Sequence, residues 1–259
     1  MAHIHLPDGV MPLEWCAVWF IVAGVLIGVA MLAARREAEF RQRILVAFLT
    51  VILFVVMMIP VPSPFGGTHV NLTSLAGIVA GPVGSAVVVF IVSVALSLIG
   101  HGGVTVLGAN ISVLYFESVA AYVFYRLLRR RFEVYASAFT ATVVSLILST
   151  VLTSAVLAVS ITGSPWFYLN EYFYENPLVP WLWVFASPQL VFQVNLFYAL
   201  LKAAELSSPL RFFTVFLAAT APANVSVAFI EAFITSVIVQ SAARSRPDIV
   251  VAEPTMRRV

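Results

Sequence analysis

The stretch Asn71-Leu72-Thr73-Ser74-Leu75-Ala76-Gly77-Ile78-Val79-Ala80-Gly81-Pro82 decides how this chain is read. As a helix, the run from Asn71 to Ala80 is only about 15 Å long at 1.5 Å per residue, enough for half a bilayer and too little for a whole one. Gly81-Pro82 then turns it into a full-length apolar run, Pro82 to Ile99. A helix interrupted at membrane depth is tolerated only where protein or a cavity covers its ends. The interruption therefore points to a binding cavity inside a helical membrane bundle.

Outward from this stretch, apolar runs broken by Pro, Gly and charge place further spans near Pro12 to Ala34, Arg43 to Ile59, Gly108 to Leu127, Val134 to Ile161, Val179 to Leu201 and Phe212 to Ala242. The composition agrees. Of 259 residues, 61% are hydrophobic and 10% charged, against about 25% charged in soluble domains, and the mean hydropathy is +1.02. This excludes a disordered chain, a nucleic-acid binder and an ordinary soluble enzyme. At roughly 20 residues per crossing, there is room for seven or eight spans in one transmembrane domain, residues 1–259, with no separate soluble domain. The expected fold class is an all-α polytopic transmembrane bundle.

The positive charges set the expected orientation. Arg35, Arg36, Arg41 and Arg43, then Arg126 with Arg129 to Arg131, then Arg244 and Arg246 are juxtamembrane clusters, which the positive-inside bias assigns to the cytoplasm of a multi-pass cell-membrane protein. The N-terminus and the loops around 60–70 and 100–107 then face outside. His3, His5, His69 and His101, all four histidines of the chain, lie in those outside segments. The C-terminal third breaks this bookkeeping. If Val179 to Leu201 and Phe212 to Ala242 each cross once, the Arg244 cluster ends outside. Either one of the two lies in the interface, or the second is split at Ala221-Pro222-Ala223. The loop between Gly163 and Pro180, with Trp166, Tyr168, Tyr172 and Tyr174, followed by Trp181 and Trp183, reads as an interfacial aromatic belt.

Met1-Ala2-His3-Ile4-His5-Leu6-Pro7-Asp8-Gly9 is the first candidate for chemistry. A histidine second or third from a free amine chelates a metal in a plane through the amine, backbone amides and imidazole. Such square-planar nitrogen sets suit Cu(II) and Ni(II). With Met1 retained, His3 holds the third position; with Met1 removed, it holds the second and leaves a place for another imidazole, which His69 can supply. The bland reading, two histidines near an unconstrained terminus, stands at even odds on this segment alone. His69 follows Gly66-Gly67-Thr68, where Thr68 or Asn71 can cap the short helix. His101 sits in Gly100-His101-Gly102-Gly103. A lone loop histidine is more often solvated than ligating, but four on one side of the membrane shift the balance toward a site that captures a cation at the outer face. Ligand nitrogens must be deprotonated, so binding is expected to weaken as pH falls through the imidazole range.

Within the spans, Asn110, Glu117, Asn195, Lys202, Glu205, Asn224 and Glu231 need explaining, since ionisable groups at membrane depth are costly and tend to be functional. Asn110 and Glu117 share a helix face, as do Asn224 and Glu231, and a bracing role between helices is favoured over ligation. Cys16 is the only cysteine, so no disulfide framework is available. The chain contains no phosphate-binding loop with its lysine, so it does not energise transport by itself.

His5-Leu6-Pro7-Asp8-Gly9, Gly67-Thr68-His69 with the short helix and Gly81-Pro82, Gly102-Gly103-Val104-Thr105-Val106-Leu107-Gly108-Ala109-Asn110, and Ile230-Glu231-Ala232-Phe233-Ile234-Thr235 followed by Arg246-Pro247-Asp248 together resemble the substrate-capture component of cobalt and nickel energy-coupling-factor transporters, the CbiM/NikM type. The blocks span nearly the whole chain; they are fairly specific together and weak singly. The resemblance implies seven core helices, with the eighth apolar segment an insertion in the C-terminal third. It implies a metal held by the N-terminal amine, the first histidine and a loop histidine corresponding to His69. On this sequence the ligand set is Met1, Ala2, His3, His5 and His69, supported by Asp8, Thr68, His101 and Asn110. Partners implied are a transmembrane scaffold, cytoplasmic ATPase subunits and a small accessory membrane subunit. Family members begin Met-His directly before the Ile-x-Asp-Gly block; three extra residues here displace His5 from the terminus and give His3 the amine-chelate position. Asn224 stands where the family has a histidine. Two other readings remain: a capture subunit for a small organic vitamin, and a membrane-embedded metal-dependent enzyme using Glu117 and Glu231.

Overall fold

The computed structural model describes residues 6, 8, 10–33, 40–61, 68–161 and 209–246. Six helices make up the described part: α1 (Leu13–Ala33), α2 (Phe40–Met57), α3 (Thr73–Leu98), α4 (Leu107–Leu128), α5 (Val134–Ile161) and α6 (Pro209–Ser245). Five contain stretches long and apolar enough to cross a membrane, and Arg43–Met57 is a shorter apolar helix. A two-residue antiparallel ribbon, β1 (Pro60–Val61) with β2 (Thr68–His69), pairs Pro60 with His69. The all-α transmembrane bundle expected from composition is the observed fold. Counting the two pieces of α3 separately gives seven helical segments.

α3 is broken where the sequence says it should be. Gly81 takes φ 69° and ψ 179°, a conformation that a side chain disfavours, and Pro82 follows as the first residue of a new helix, where its missing N–H is harmless. The short piece, Thr73 to Ala80, is buried on every face. Gly77 explains how: a methyl group there would overlap the Ser118 carbonyl, so the half-helix lies directly on the α4 backbone. Gly108 does the same for α4 against α1, at Trp19 and Phe20. By contrast, α1 and α2 leave Ile21, Val25, Val29, Phe48, Val51 and Val55 exposed, as lipid-facing helices do.

Two apolar clusters fill the bundle, one confined to the histidine end and a larger one that runs from Val70 and Leu72 to the arginine end. Leu6, Met11, Val106, Ala109, Leu157, Phe212 and Phe216 pack together at the histidine end. Tyr125, Leu128, Val134, Val239, Ala242 and Ala243 belong to the other cluster. Therefore α6 runs from the histidine end to the arginine end, and α5 finishes at the end where α6 begins. Arg244 thus shares an end with Arg126 and Arg129 to Arg131, which removes the charge conflict. Of the two alternatives that the sequence left open, the split at 221–223 does not occur. α6 is one continuous helix through Pro222, and its membrane-length apolar part is Asn224–Ser245. The expected span Val179 to Leu201 and the aromatic belt lie outside the described residues.

Candidate metal centre

Chain order scatters the candidate residues, and the fold gathers several of them. Asn110, in the first turn of α4, grips the residue after His5: its Oδ1 accepts the Leu6 N–H at 3.0 Å, and its Nδ2 donates to the Leu6 carbonyl at 3.3 Å. The Gly103 N–H also donates to the Leu6 carbonyl, at 2.9 Å. Asp8 Oδ1 accepts from the Thr105 N–H at 2.7 Å and from its hydroxyl at 2.6 Å. A methyl group on Gly103 would overlap the Asp8 amide nitrogen. The glycine-rich loop is thus a dock for the N-terminal segment, which makes Asp8 and Asn110 anchors.

His69 arrives by the other route, at the end of the ribbon. Its ring centroid lies 5.2 Å from that of His101, tilted by 54°, and its Nδ1 is 3.4 Å from the Val70 carbonyl. Burial, with His101 adding to it, pushes the His69 pKa down to about 3; burial lowers that of His101 as well. Both rings are therefore held neutral, the form that ligates metals. Met1, Ala2, His3 and His5 lie outside the described residues, as does the Thr68 side chain. Among the described residues no three His, Cys, Asp or Glu side chains converge as a metal cluster.

Sequence reasoning missed the role of Asn71. Its backbone N–H donates to Glu231 Oε2 at 3.1 Å, its Nδ2 donates to Glu117 Oε2 at 3.4 Å, and its Oδ1 accepts the Thr73 N–H at 2.7 Å. Asn71 thus provides a capping contact to the first N–H of the short helix. Those three bonds hold Leu72 in a left-handed conformation, φ 55°, costly for a side-chain-bearing residue unless its surroundings over-determine it. Ser74 Oγ donates to Glu117 Oε1 at 3.3 Å. The expected bracing pairs are thus refined: Asn110 holds the N-terminal segment, while Glu117 and Glu231 hold the segment carrying His69. Only the spacing of Asn71 before a short helix hinted at this.

An all-helical bundle that crosses a membrane, broken at Gly81, with a docked N-terminal segment and paired histidines at one end, defines a polytopic membrane protein built around a buried polar site. The chain belongs to the CbiM family, described as the cobalt uptake substrate-specific transmembrane region, whose model matches residues 5–249. A "Putative cobalt transport protein CbiM" of Halobacterium salinarum is 31% identical over 170 residues, 62% of this chain and 76% of that protein. The "Cobalt transport protein CbiM" of Geobacter sulfurreducens is 30% identical over 115 residues, 42% of this chain. The matched segment spans 33% of that relative, and 51% of another from Sorangium cellulosum. A solved structure described as a truncated transition metal transporter superposes with a TM-score of 0.69 over 93% of this chain and 99% of its own, at 19% identity. That likeness bears on the fold.

Proposed function

We propose that this chain is the metal-capture subunit of an ATP-driven energy-coupling-factor importer for Ni(II) or Co(II). The observation that carries the reading is a chain of contacts. Leu6, adjacent to His5, is bonded to Gly103, two residues from His101, whose ring lies against His69. On this reading Met1, Ala2, His3 and His5 supply the nitrogens that complete a site with His69, and Asp8, Thr68, His101 and Asn110 support it. The family membership and the relatives named as cobalt transport proteins favour transport over catalysis, and favour cobalt as a cargo. Nickel enters through the planar nitrogen set that an N-terminal histidine offers.

In this reading the histidine end faces outside and the arginine loops face the cytoplasm of the cell membrane. A scaffold membrane subunit, ATPase subunits and a small accessory membrane subunit complete the transporter. The test is uptake of radiolabelled cobalt and nickel by cells that carry this chain with those partners. Accumulation that needs ATP and collapses in His69→Ala supports the proposal. Equal accumulation with the native and His69→Ala chains overturns it. If neither metal accumulates and a vitamin does, the organic-substrate reading replaces it.

A further inference from the structure

Beneath His69, the bundle interior holds oxygen where a helix-packing core holds carbon. Glu117 on α4 and Glu231 on α6 are both 0% exposed and are bridged by Asn71. A carboxylate has about four acceptor positions, yet among the described residues this pair draws on only the Asn71 N–H, the Asn71 amide and the Ser74 hydroxyl, with the Leu72 N–H also lying against Glu231. Among the described residues, Glu231 Oε1 has no hydrogen-bond partner. The Ser149 hydroxyl on α5 lies beside the Glu117 carboxyl; it is fully buried and makes no closer hydrogen bond among the described residues.

The same pattern continues toward the arginine end. Thr142, one turn from Ser145 on α5, and Thr235, one turn past Glu231 on α6, are buried hydroxyls without partners among the described residues. Buried polar atoms are nearly always satisfied, and ionisable groups at membrane depth mark ion pathways. A site that presents carboxylates, hydroxyls and an amide offers oxygen ligands to a cation.

We propose that Glu117 and Glu231, with the Ser149 and Ser74 hydroxyls, form a second, oxygen-lined cation site that receives the transported divalent ion after capture at His69. It rests on the capture reading for its cargo. The difference in donors gives it a purpose. Nitrogen ligands bind late first-row divalent ions more tightly than oxygen ligands do, and a pathway must bind firmly enough to admit the ion and weakly enough to release it. An inner oxygen site between a tight outer site and the arginine end is the weaker step.

Equilibrium dialysis of the full-length purified chain against Co(II) tests this. The native chain should bind one tight and one weaker equivalent, and His69→Ala should keep only the weaker one. Adding Glu117→Gln and Glu231→Gln to His69→Ala should weaken that remaining equivalent at least tenfold. If that variant fails to fold, His69→Ala with Ser149→Ala carries the test, with a threefold or greater weakening expected. Absence of a second equivalent in both the native chain and His69→Ala, or its persistence unchanged in the carboxamide and Ser149 variants, overturns the inner site. Retention of both equivalents in His69→Ala, followed by loss of one with the carboxamides, supports the inner site and overturns the outer one.

Discussion

Asn110 clasps Leu6 as one strand clasps another, accepting its N–H at 3.0 Å and donating to its carbonyl at 3.3 Å across 104 residues of sequence. Buried hydrogen bonds contribute roughly 1 kcal/mol each, so Asn110→Ala should loosen the N-terminal segment by about 2 kcal/mol. Hydrogen exchange at the Leu6 amide should accelerate, and metal affinity should fall roughly 30-fold, as that energy implies. Unchanged exchange at Leu6 would mean that the segment is held by something else.

Two glycines should fail in different ways. Gly103→Ala forces a methyl group onto the Asp8 backbone and carboxylate, which undocks the N-terminal segment and leaves the bundle intact. Gly77→Ala forces one onto the Ser118 carbonyl, between two helix backbones. Thermal unfolding separates the two: Gly77→Ala should lower the midpoint by several degrees, while Gly103→Ala should lower metal affinity with little change in midpoint. The reverse order would contradict the assignment of Gly103 to the dock.

Much of this was legible in the residues, and the missing parts have physical reasons. The break at Gly81-Pro82 was visible because glycine and proline punctuate an otherwise uniform apolar run. The arginine clusters gave the ends of the bundle. The course of α6 was not legible, because Pro222 signals a break in sequence and the helix runs through it unbroken. Asn71 was read as a candidate cap, but nothing local to it reveals two carboxyls from helices 46 and 160 residues away. His3, His5 and the other N-terminal donors remain a reading of sequence and family, since the described residues begin at Leu6.

Burial shifts the expected pH window of His69. Its pKa falls from 6.5 to about 3 in the folded chain. Between those values the unfolded chain takes up a proton that folded His69 does not, so stability should decline on acidification from about pH 6.5 toward 3, by roughly 1.4 kcal/mol per pH unit for this group. Thermal midpoints of the metal-free chain between pH 7 and 4.5 should show this slope, and His69→Asn, which cannot titrate, should flatten it. An identical slope in His69→Asn would contradict the buried neutral ring. Loss of metal through the ordinary imidazole range then reports ligands other than His69.

The Glu231 anchor separates hydrogen bonding from charge. Glu231→Gln keeps an oxygen to accept the Asn71 N–H, while Glu231→Leu leaves that buried donor unsatisfied, which costs about 1–3 kcal/mol. Metal affinity at the outer site should therefore drop further in the leucine variant than in the glutamine variant, by about tenfold or more. Equal losses would show that negative charge, and not the Asn71 bond, is what His69 depends on.

The central claim is that His69 and the docked N-terminal segment make one metal site. Its most direct test is calorimetric titration of the purified chain, with its native N-terminus, by Ni(II) and Co(II), beside His69→Ala and a chain with one extra N-terminal residue. The account predicts a single tight site whose affinity falls at least a hundredfold in both variants. Equal affinity for all three chains would contradict it.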